Sequence, residues 1–340
     1  MIVAQKYIEA GFCTAFVLKV CGVPKSTYYY KAKPQTEYDR KGIPISIYTY
    51  KINGSRVENS MVILDIKALL SQEFVDYGYL KVTYYLRDEL GYRINHKKVY
   101  RLMKDTQLLN VARPKQKNKK LWVKELVPKP TTAFTYWEFD IKFIYIHHLG
   151  RYAPMLSVVD VYSRYLIGWI MQWSIKKEDV VGFFDALLQD YQMPDEIYVR
   201  CDNGSQFESS MVRAYFESKG ISQEFTKPAT PEQNAHIESY HSIIANAVCR
   251  RFEFTSLTHA TDVFIRWEHF YNKERIHSGI GFTSPEKYLT KNHISIPKKV
   301  NLRKIKKLRK FEAPDQTEAS SAEEHLARDN PVKESKMQVR

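Results

Sequence analysis

Between Trp137 and Tyr145 the chain alternates. Trp137, Phe139, Ile141, Phe143 and Tyr145 fall on one side, and Glu138, Asp140 and Lys142 on the other, which predicts a strand. The next apolar stretch, YAPMLSVVDVYSRYLIGWIMQWS, predicts two more strands joined by a turn at Tyr162-Ser163-Arg164, so the three form an antiparallel meander. A helix from Lys177 to Gln192, a strand DEIYVRC, a helix SSMVRAYFESKG and a short strand SQEFT follow. Then comes PEQNAHIESYHSIIANA, whose Ile237, Tyr240, Ile244 and Val248 make a helical stripe. Glu238 lies about 100° round from that stripe. Its own row is Asn234, Ala235, His241, Ser242 and Ala245, all small or polar. Read alone, a Glu in that place is ordinarily a solvated helix charge.

Upstream the periodicity is helical. Residues 1–32 predict a small helical segment, compatible with a helix-turn-helix or with a plain helical cap. Residues 33–57, with Pro, Gly and mixed charge, read as a connector. Over 58–110, Val62, Ile66 and Leu69 form one row, Gly91 suits a C-cap, and Asn95 suits the N-cap of a helix with Val99, Leu102 and Met103 inward. The outer face of that last helix carries Lys97, Lys98, Arg101 and Lys104. It is either a solvated charged face or the recognition face of a helix-turn-helix DNA-binding domain.

Charge favours DNA. Lys and Arg total 52 against 38 acidic residues, a formal net charge of +14, and such an excess points to a polyanionic partner. The excess is concentrated. A basic linker over 111–129 includes Lys115, Lys117, Lys119 and Lys120, and an extension over 291–310 has eight basic residues from Lys298 to Lys310. Residues 311–340 are polar and aromatic-poor, the composition of a disordered tail. Cys13, Cys21, Cys201 and Cys249 are too scattered for a disulfide scaffold or a zinc finger. No apolar run approaches the roughly 20 residues of a membrane span, so a cytoplasmic, nucleoid-associated protein is expected.

Three antiparallel strands followed by strands alternating with helices match the ribonuclease H order, so residues 130–290 are expected to form that α/β core. Within it three carboxylates stand out by position. Asp140 sits mid-strand, Asp202 ends the fourth strand in RCDNGSQF, and Glu238 lies on the long helix. A mid-strand charge is costly unless paired or metal-bound, and ligands gather at the carboxyl ends of such strands. Three carboxylates repel one another unless a hard cation joins them. Two Mg²⁺ ions, with Mn²⁺ able to substitute, would suit in-line phosphoryl displacement. Asp160, beside a strand turn, reads as a structural acceptor. His236 and His241 flank Glu238, and either could be a ligand, although an all-oxygen site does not require them.

These words together resemble the insertion-sequence transposases of the IS-three family, relatives of retroviral integrases. The resemblance covers about residues 58–290. WEFD fits W-x-x-D, VVDVYSRYLIGW fits a D-x-x-S-R strand turn, and DNGSQF fits D-x-G-S-Q-[YF]. PEQNAHIES fits P-x-x-N-A-x-x-E-S, and YNKERIHSGIGFTSP fits the closing Y-N-x-x-R-x-H word. Between Asp202 and Glu238 lie 35 residues, the spacing of the family's D-D-35-E triad. The resemblance implies an integrase catalytic core in which Asp140, Asp202 and Glu238 are catalytic and bind metal. It also implies that Asn234 is a close, DNA-facing neighbour. Implied partners are the terminal inverted repeats, target DNA and further copies of the chain. The alternative is a transposase-derived regulator without activity. Two positions depart from the family: Lys142 stands where Thr is frequent, and Ala245 where a DNA-contacting base is frequent.

Overall fold

The computed structural model describes residues 1–29, 46–110, 129–190, 193–227 and 231–296. Lys115, Lys117, Lys119 and Lys120, most of the basic extension and the whole predicted tail lie outside the described residues. The chain divides into a unit at Met1–Ile47 and a larger one from Tyr48 onward. In the first, helices α1 (Ile2–Glu9), α2 (Thr14–Val20) and α3 (Lys25–Tyr28) close over Ala4, Val17 and Leu18.

The second unit opens with a hairpin where the sequence suggested only a connector. Strands β1 (Tyr48–Lys51) and β2 (Arg56–Glu58) pair antiparallel around Asn53-Gly54. Gly54 takes φ +84° there, a left-handed conformation that glycine adopts without strain. After α4 (Asn59–Leu70) and α5 (Tyr79–Asp88), the short β3 (Tyr92–Arg93) adds to β1, and α6 (His96–Asp105) follows. The helix-turn-helix unit, expected from its periodicity to be helical throughout, therefore also carries a small three-stranded sheet. Its helices bury Val62, Ile66, Leu69, Val82, Leu86, Val99 and Met103, and the Asn95 side chain caps α6 by accepting from the Lys97 amide at 2.8 Å.

The catalytic-core strands are β4 (Tyr136–Ile146), β5 (Arg151–Asp160), β6 (Leu166–Met171), β7 (Ile197–Cys201) and β8 (Ile221–Phe225). The sheet order is β6-β5-β4-β7-β8. The first three strands pair antiparallel, β7 runs parallel to β4, and β8 runs parallel to β7. This is the ribonuclease H-like arrangement. Helices α7 (Lys177–Asp190), α8 (Ser210–Ser218), α9 (Ala235–Ile244), α10 (Leu257–Lys273) and α11 (Pro285–Lys291) complete it. Because β4 is central, both its faces are covered. Trp137 and Phe139 pack with Phe184 and Phe216 of α7 and α8. Ile144 and Ile146 belong to the core that includes Ile237 and Tyr240 of α9. The face carrying Glu138, polar by pattern, is thus buried at that residue, and Glu138 is 0% exposed.

That second core is continuous with the helix-turn-helix unit. Phe74 packs edge-on against Trp267 of α10 at 5.4 Å, Arg275 pairs with Asp76 at 2.7 Å, and the Ile276 amide donates to the Tyr77 hydroxyl at 2.9 Å. The closing word of the sequence is a docking surface inside the chain: Tyr271, Asn272, Arg275 and His277 are all buried. Lys81 sits in this junction. Burial, and then repulsion from Arg275, lowers its ammonium from 10.5 to about 7, against the pull of Asp76. From about pH 7 up to the ordinary lysine range the unfolded chain carries a proton that the folded chain lacks, so stability rises with pH there. Lys81→Met should flatten that rise and add about 2 kcal/mol at pH 7, read from thermal unfolding at pH 7 and pH 9. An unchanged pH dependence would show that Lys81 stays protonated in the fold.

Candidate active site

Each triad carboxylate is set by a different element. Asp140 is half-buried in β4 and accepts from the Ile141 amide at 2.7 Å. Asp202 follows β7 directly, is exposed, and accepts from the Gly204 amide at 3.0 Å. A side chain at 204 would crowd this turn: a Cβ there would lie 3.1 Å from the Asp202 Oδ1 and 2.8 Å from the Gln206 Nε2. Asn203 ties the same turn to the end of β8 by donating to the Thr226 carbonyl at 2.9 Å. Glu238 is exposed on the first turn of α9.

The three converge electrostatically. The Asp140 carboxyl is pushed from 3.8 up to about 7, first by burial and then by the charges of Asp202 and Glu238, while Lys142 and the Ile141 amide pull it back. Convergence stops short of a cage. Among the described residues no three His, Cys, Asp or Glu side chains are grouped so as to hold a metal ion as they stand. The donors nonetheless fit a hard divalent cation. All are carboxylate oxygens, their mutual repulsion is what a cation relieves, and an open set leaves room for water and phosphate oxygens.

The histidines flanking Glu238 have separate duties. His241 Nδ1 lies 3.5 Å from Asp140 Oδ2. Burial, helped by Lys142, holds its imidazole neutral down to about 3. His236 is engaged elsewhere, with Nδ1 2.7 Å from Glu138 Oε1. Glu138 Oε2 also accepts the His236 amide at 2.8 Å and the Ile237 amide at 2.9 Å. This buried carboxyl, two residues before Asp140, therefore anchors the first turn of the helix that carries Glu238. Residue-by-residue reading did not single it out.

A second tie acts just upstream of α9. Arg200 pairs with Glu224 at 2.9 Å and donates to the Gln233 carbonyl at 3.1 Å, while Gln233 Oε1 accepts from the Lys227 amide. Asn234 occupies the N-cap position of α9 and is buried, with its Oδ1 unpartnered. Asp160 is fully buried and accepts from the Phe134 amide and from the amide and hydroxyl of Ser163, as a structural acceptor should. At Ala245 the helix passes into a π-helical turn (Ala245–Cys249), so a row counted at α-helical spacing from Glu238 does not continue past it.

The basic face of α6 is uneven. Lys97 and Lys104 are exposed, whereas Lys98 and Arg101 are half-buried. Lys98 turns inward and donates to the Tyr48 carbonyl of the hairpin.

With this geometry established, comparison with known proteins gives a consistent picture. Residues 130–231 match one integrase core domain family, residues 219–285 a second, and residues 50–117 an HTH-like domain. An uncharacterised protein of insertion element IS476 from Xanthomonas euvesicatoria is 30% identical over 226 residues. That match covers 64% of this chain and 62% of the relative, so the chain spans under two thirds of that protein's length. The transposase for insertion sequence element IS904 from Lactococcus lactis is 28% identical over 251 residues, covering 68% of this chain and 95% of that protein. Among solved structures, the HTLV-2 integrase catalytic core domain in complex with magnesium is 14% identical with a TM-score of 0.36, covering 47% of this chain and 99% of that one. Among the described residues no helix is long and apolar enough to cross a membrane. Residues 50–117 thus match an HTH-like domain and residues 130–285 integrase core domains, and the chain is similar to insertion-sequence transposases.

Proposed function

We propose that this protein nicks DNA at the ends of its own element and joins the freed 3′-OH to another strand, by in-line displacements at phosphorus. The observation that supports this most directly is the convergence of Asp202 and Glu238 on Asp140, felt as the raised carboxyl of Asp140. Asp140, Asp202 and Glu238 would hold two divalent cations, Mg²⁺ or Mn²⁺, which supply activation of the nucleophile and stabilisation of the leaving oxygen. The chain's own contribution is position. β4 and the turn after β7 fix two carboxylates, and the Glu138 anchor fixes the helix bearing the third. His241, kept neutral, sets no positive charge against Asp140.

DNA is held by the helix-turn-helix unit. Lys97 and Lys104 on α6 reach phosphates, Lys98 and Arg101 support them, and Lys115, Lys117, Lys119 and Lys120 add to the grip along the linker. Asn234 lies buried at the start of α9, beside the proposed position of the DNA end. Pairing two terminal inverted repeats and a target requires more than one copy of the chain, working on chromosomal DNA in the cytoplasm. Residues 58–110 form the recognition domain, residues 130–290 the catalytic core, and the two basic stretches join and follow them.

Incubation with a duplex carrying the DNA that flanks the protein's own coding sequence tests this reading. With Mg²⁺ we expect 3′-OH nicks at a fixed position and strand-joined products. Both should disappear on chelation and return when Mg²⁺ or Mn²⁺ is restored. Cleavage that survives chelation contradicts the proposal, and a protease-sensitive covalent protein–DNA adduct would point to a tyrosine nucleophile instead.

A further inference from the structure

We propose that the β1–β2 hairpin is a second DNA-contacting element, a wing that lies on the minor groove and phosphates beside the segment of duplex taken by α6. The proposal rests on the reading of α6 as a DNA-binding helix and deepens it.

The base of the hairpin is built into the fold, with Thr49 buried and Val57 packed on the core, but its tip holds a shape that the core does not use. Its tip is tightly hydrogen-bonded: the Lys51 amide donates to the Ser55 carbonyl at 2.9 Å and the Gly54 amide to the Lys51 carbonyl at 3.0 Å. Asn53 Oδ1 accepts from the Ser55 amide and hydroxyl at 3.1 and 2.7 Å. Yet Ile52 at this tip is 72% exposed, and Tyr50 is 52% exposed. A rigid tip presenting an unburied β-branched residue serves no core.

The hairpin is also fixed to α6. Lys98 on that helix donates to the Tyr48 carbonyl, the Ile52 amide donates to the Gly91 carbonyl at 2.8 Å, and β1 pairs with β3 just before α6 begins. An open cleft of about 560 Å³ lies between the tip and the start of the helix, with Ile52, Arg87, Asp88, Arg93 and Asn95 on its walls. Helix and hairpin therefore offer one rigid surface with two projections.

Charge and size select duplex DNA as the occupant. Lys51 lies over the Tyr92 ring at 4.8 Å and Arg56 over the Tyr48 ring at 4.1 Å, so both cations are braced along the hairpin. Arg93 and Lys97 continue the basic surface, and Glu58 and Asp88 are the acids set against them. With α6 in a major groove about 12 Å wide, the adjoining minor groove is about 6 Å wide, a match for a slender Asn-Gly-Ser tip. Apolar residues such as isoleucine serve as wedges in minor-groove binders, a role open to Ile52.

The test measures binding to the flanking-DNA duplex against salt by fluorescence anisotropy. It compares the full chain, an Ile52→Ser/Arg56→Gln variant and a Lys97→Gln/Lys104→Gln variant. All substituted side chains are at the surface, and matched thermal unfolding will show that the fold is intact. We expect the hairpin variant to bind about tenfold more weakly near physiological salt, with a salt slope smaller by about one. It should also lose hydroxyl-radical protection of one minor-groove segment. Unchanged affinity, slope and protection in the hairpin variant, with the α6 variant weakened, overturns the wing alone. If the α6 variant also binds as the parent does, the reading of α6 fails as well. A hairpin variant that changes only the sedimentation mass of the DNA-free protein would assign the tip to a second copy and also overturn the proposal.

Discussion

Asp202→Asn should lower DNA strand cleavage by about a thousandfold or more, the scale on which a catalytic unit fails when one member is removed. The substitution keeps shape and one oxygen, so the Gly204 amide, 3.0 Å from Oδ1, still has an acceptor. Asp202 is exposed, so the fold should lose no more than about 0.5 kcal/mol. What disappears is negative charge. Asp202 is the largest charged contributor to the raised Asp140 carboxyl, so Asp140 should ionise more readily in the variant even as the site loses a ligand. Cleavage of an end-labelled duplex, beside anisotropy on the same duplex, separates chemistry from binding. Activity should collapse while affinity holds. Cleavage within tenfold of the parent would remove Asp202 from the site and with it the two-cation proposal.

The three proposed triad positions stand out in the sequence because they sit in recognisable words, and some of the neighbouring residues in those words have local structural duties. DNG in DNGSQF is a turn in which a side chain at 204 would push against the Asp202 oxygen and the end of the Gln206 side chain. YN in the closing word places Asn272, whose side chain accepts from the Leu166 amide at 2.8 Å and donates to its carbonyl at 2.9 Å, tying α10 to β6.

Other features were masked by competing signals. In YTYKINGSRVE the Asn-Gly pair between two short alternating runs is a strong hairpin cue, but mixed charge and nearby Pro and Gly made the stretch read as a connector. The missing information was tertiary, since β1 is fixed by β3 more than thirty residues further on. The π-helical turn at Ala245–Cys249 left no cue at all. An alternation of two gives one polar face for β4, but it cannot reveal that a helix from about a hundred residues downstream covers part of that face. The docking of the helix-turn-helix unit was hidden for the same reason: Phe74, Asp76 and Tyr77 meet partners in α10 and just beyond it. One consequence is that the described parts of α6 and of the integrase core belong to a single compact unit.

The buried face of β4 carries the second large expectation. Glu138→Ala should cost about 3–4 kcal/mol of stability, because it strands the His236 and Ile237 amides and the His236 ring in a site with no exposure at Glu138. Activity should fall further than stability explains. The amides freed are those at and beside the start of α9, where the positive end of the helix favours a negative partner. Glu238 is one residue beyond Ile237, so loosening that turn moves a triad carboxylate against Asp140 on the strand that supplied the anchor. A displacement near 1 Å can cost about a hundredfold in rate. Glu138→Gln is the sharper variant, because its amide oxygen, placed as Oε2 is, can still accept both backbone bonds and the fold should survive, while the charge and the acceptor facing the His236 ring are lost. We expect it to cleave about ten- to a hundredfold more slowly, to require more Mg²⁺ for half-maximal rate, and to bind the same duplex as the parent does. A purely structural role predicts lower melting temperature with an unchanged Mg²⁺ requirement. If Glu138→Gln, folded and saturated with Mg²⁺, cleaves at the parent rate and with the parent's Mg²⁺ dependence, the carboxyl holds α9 together without placing Glu238.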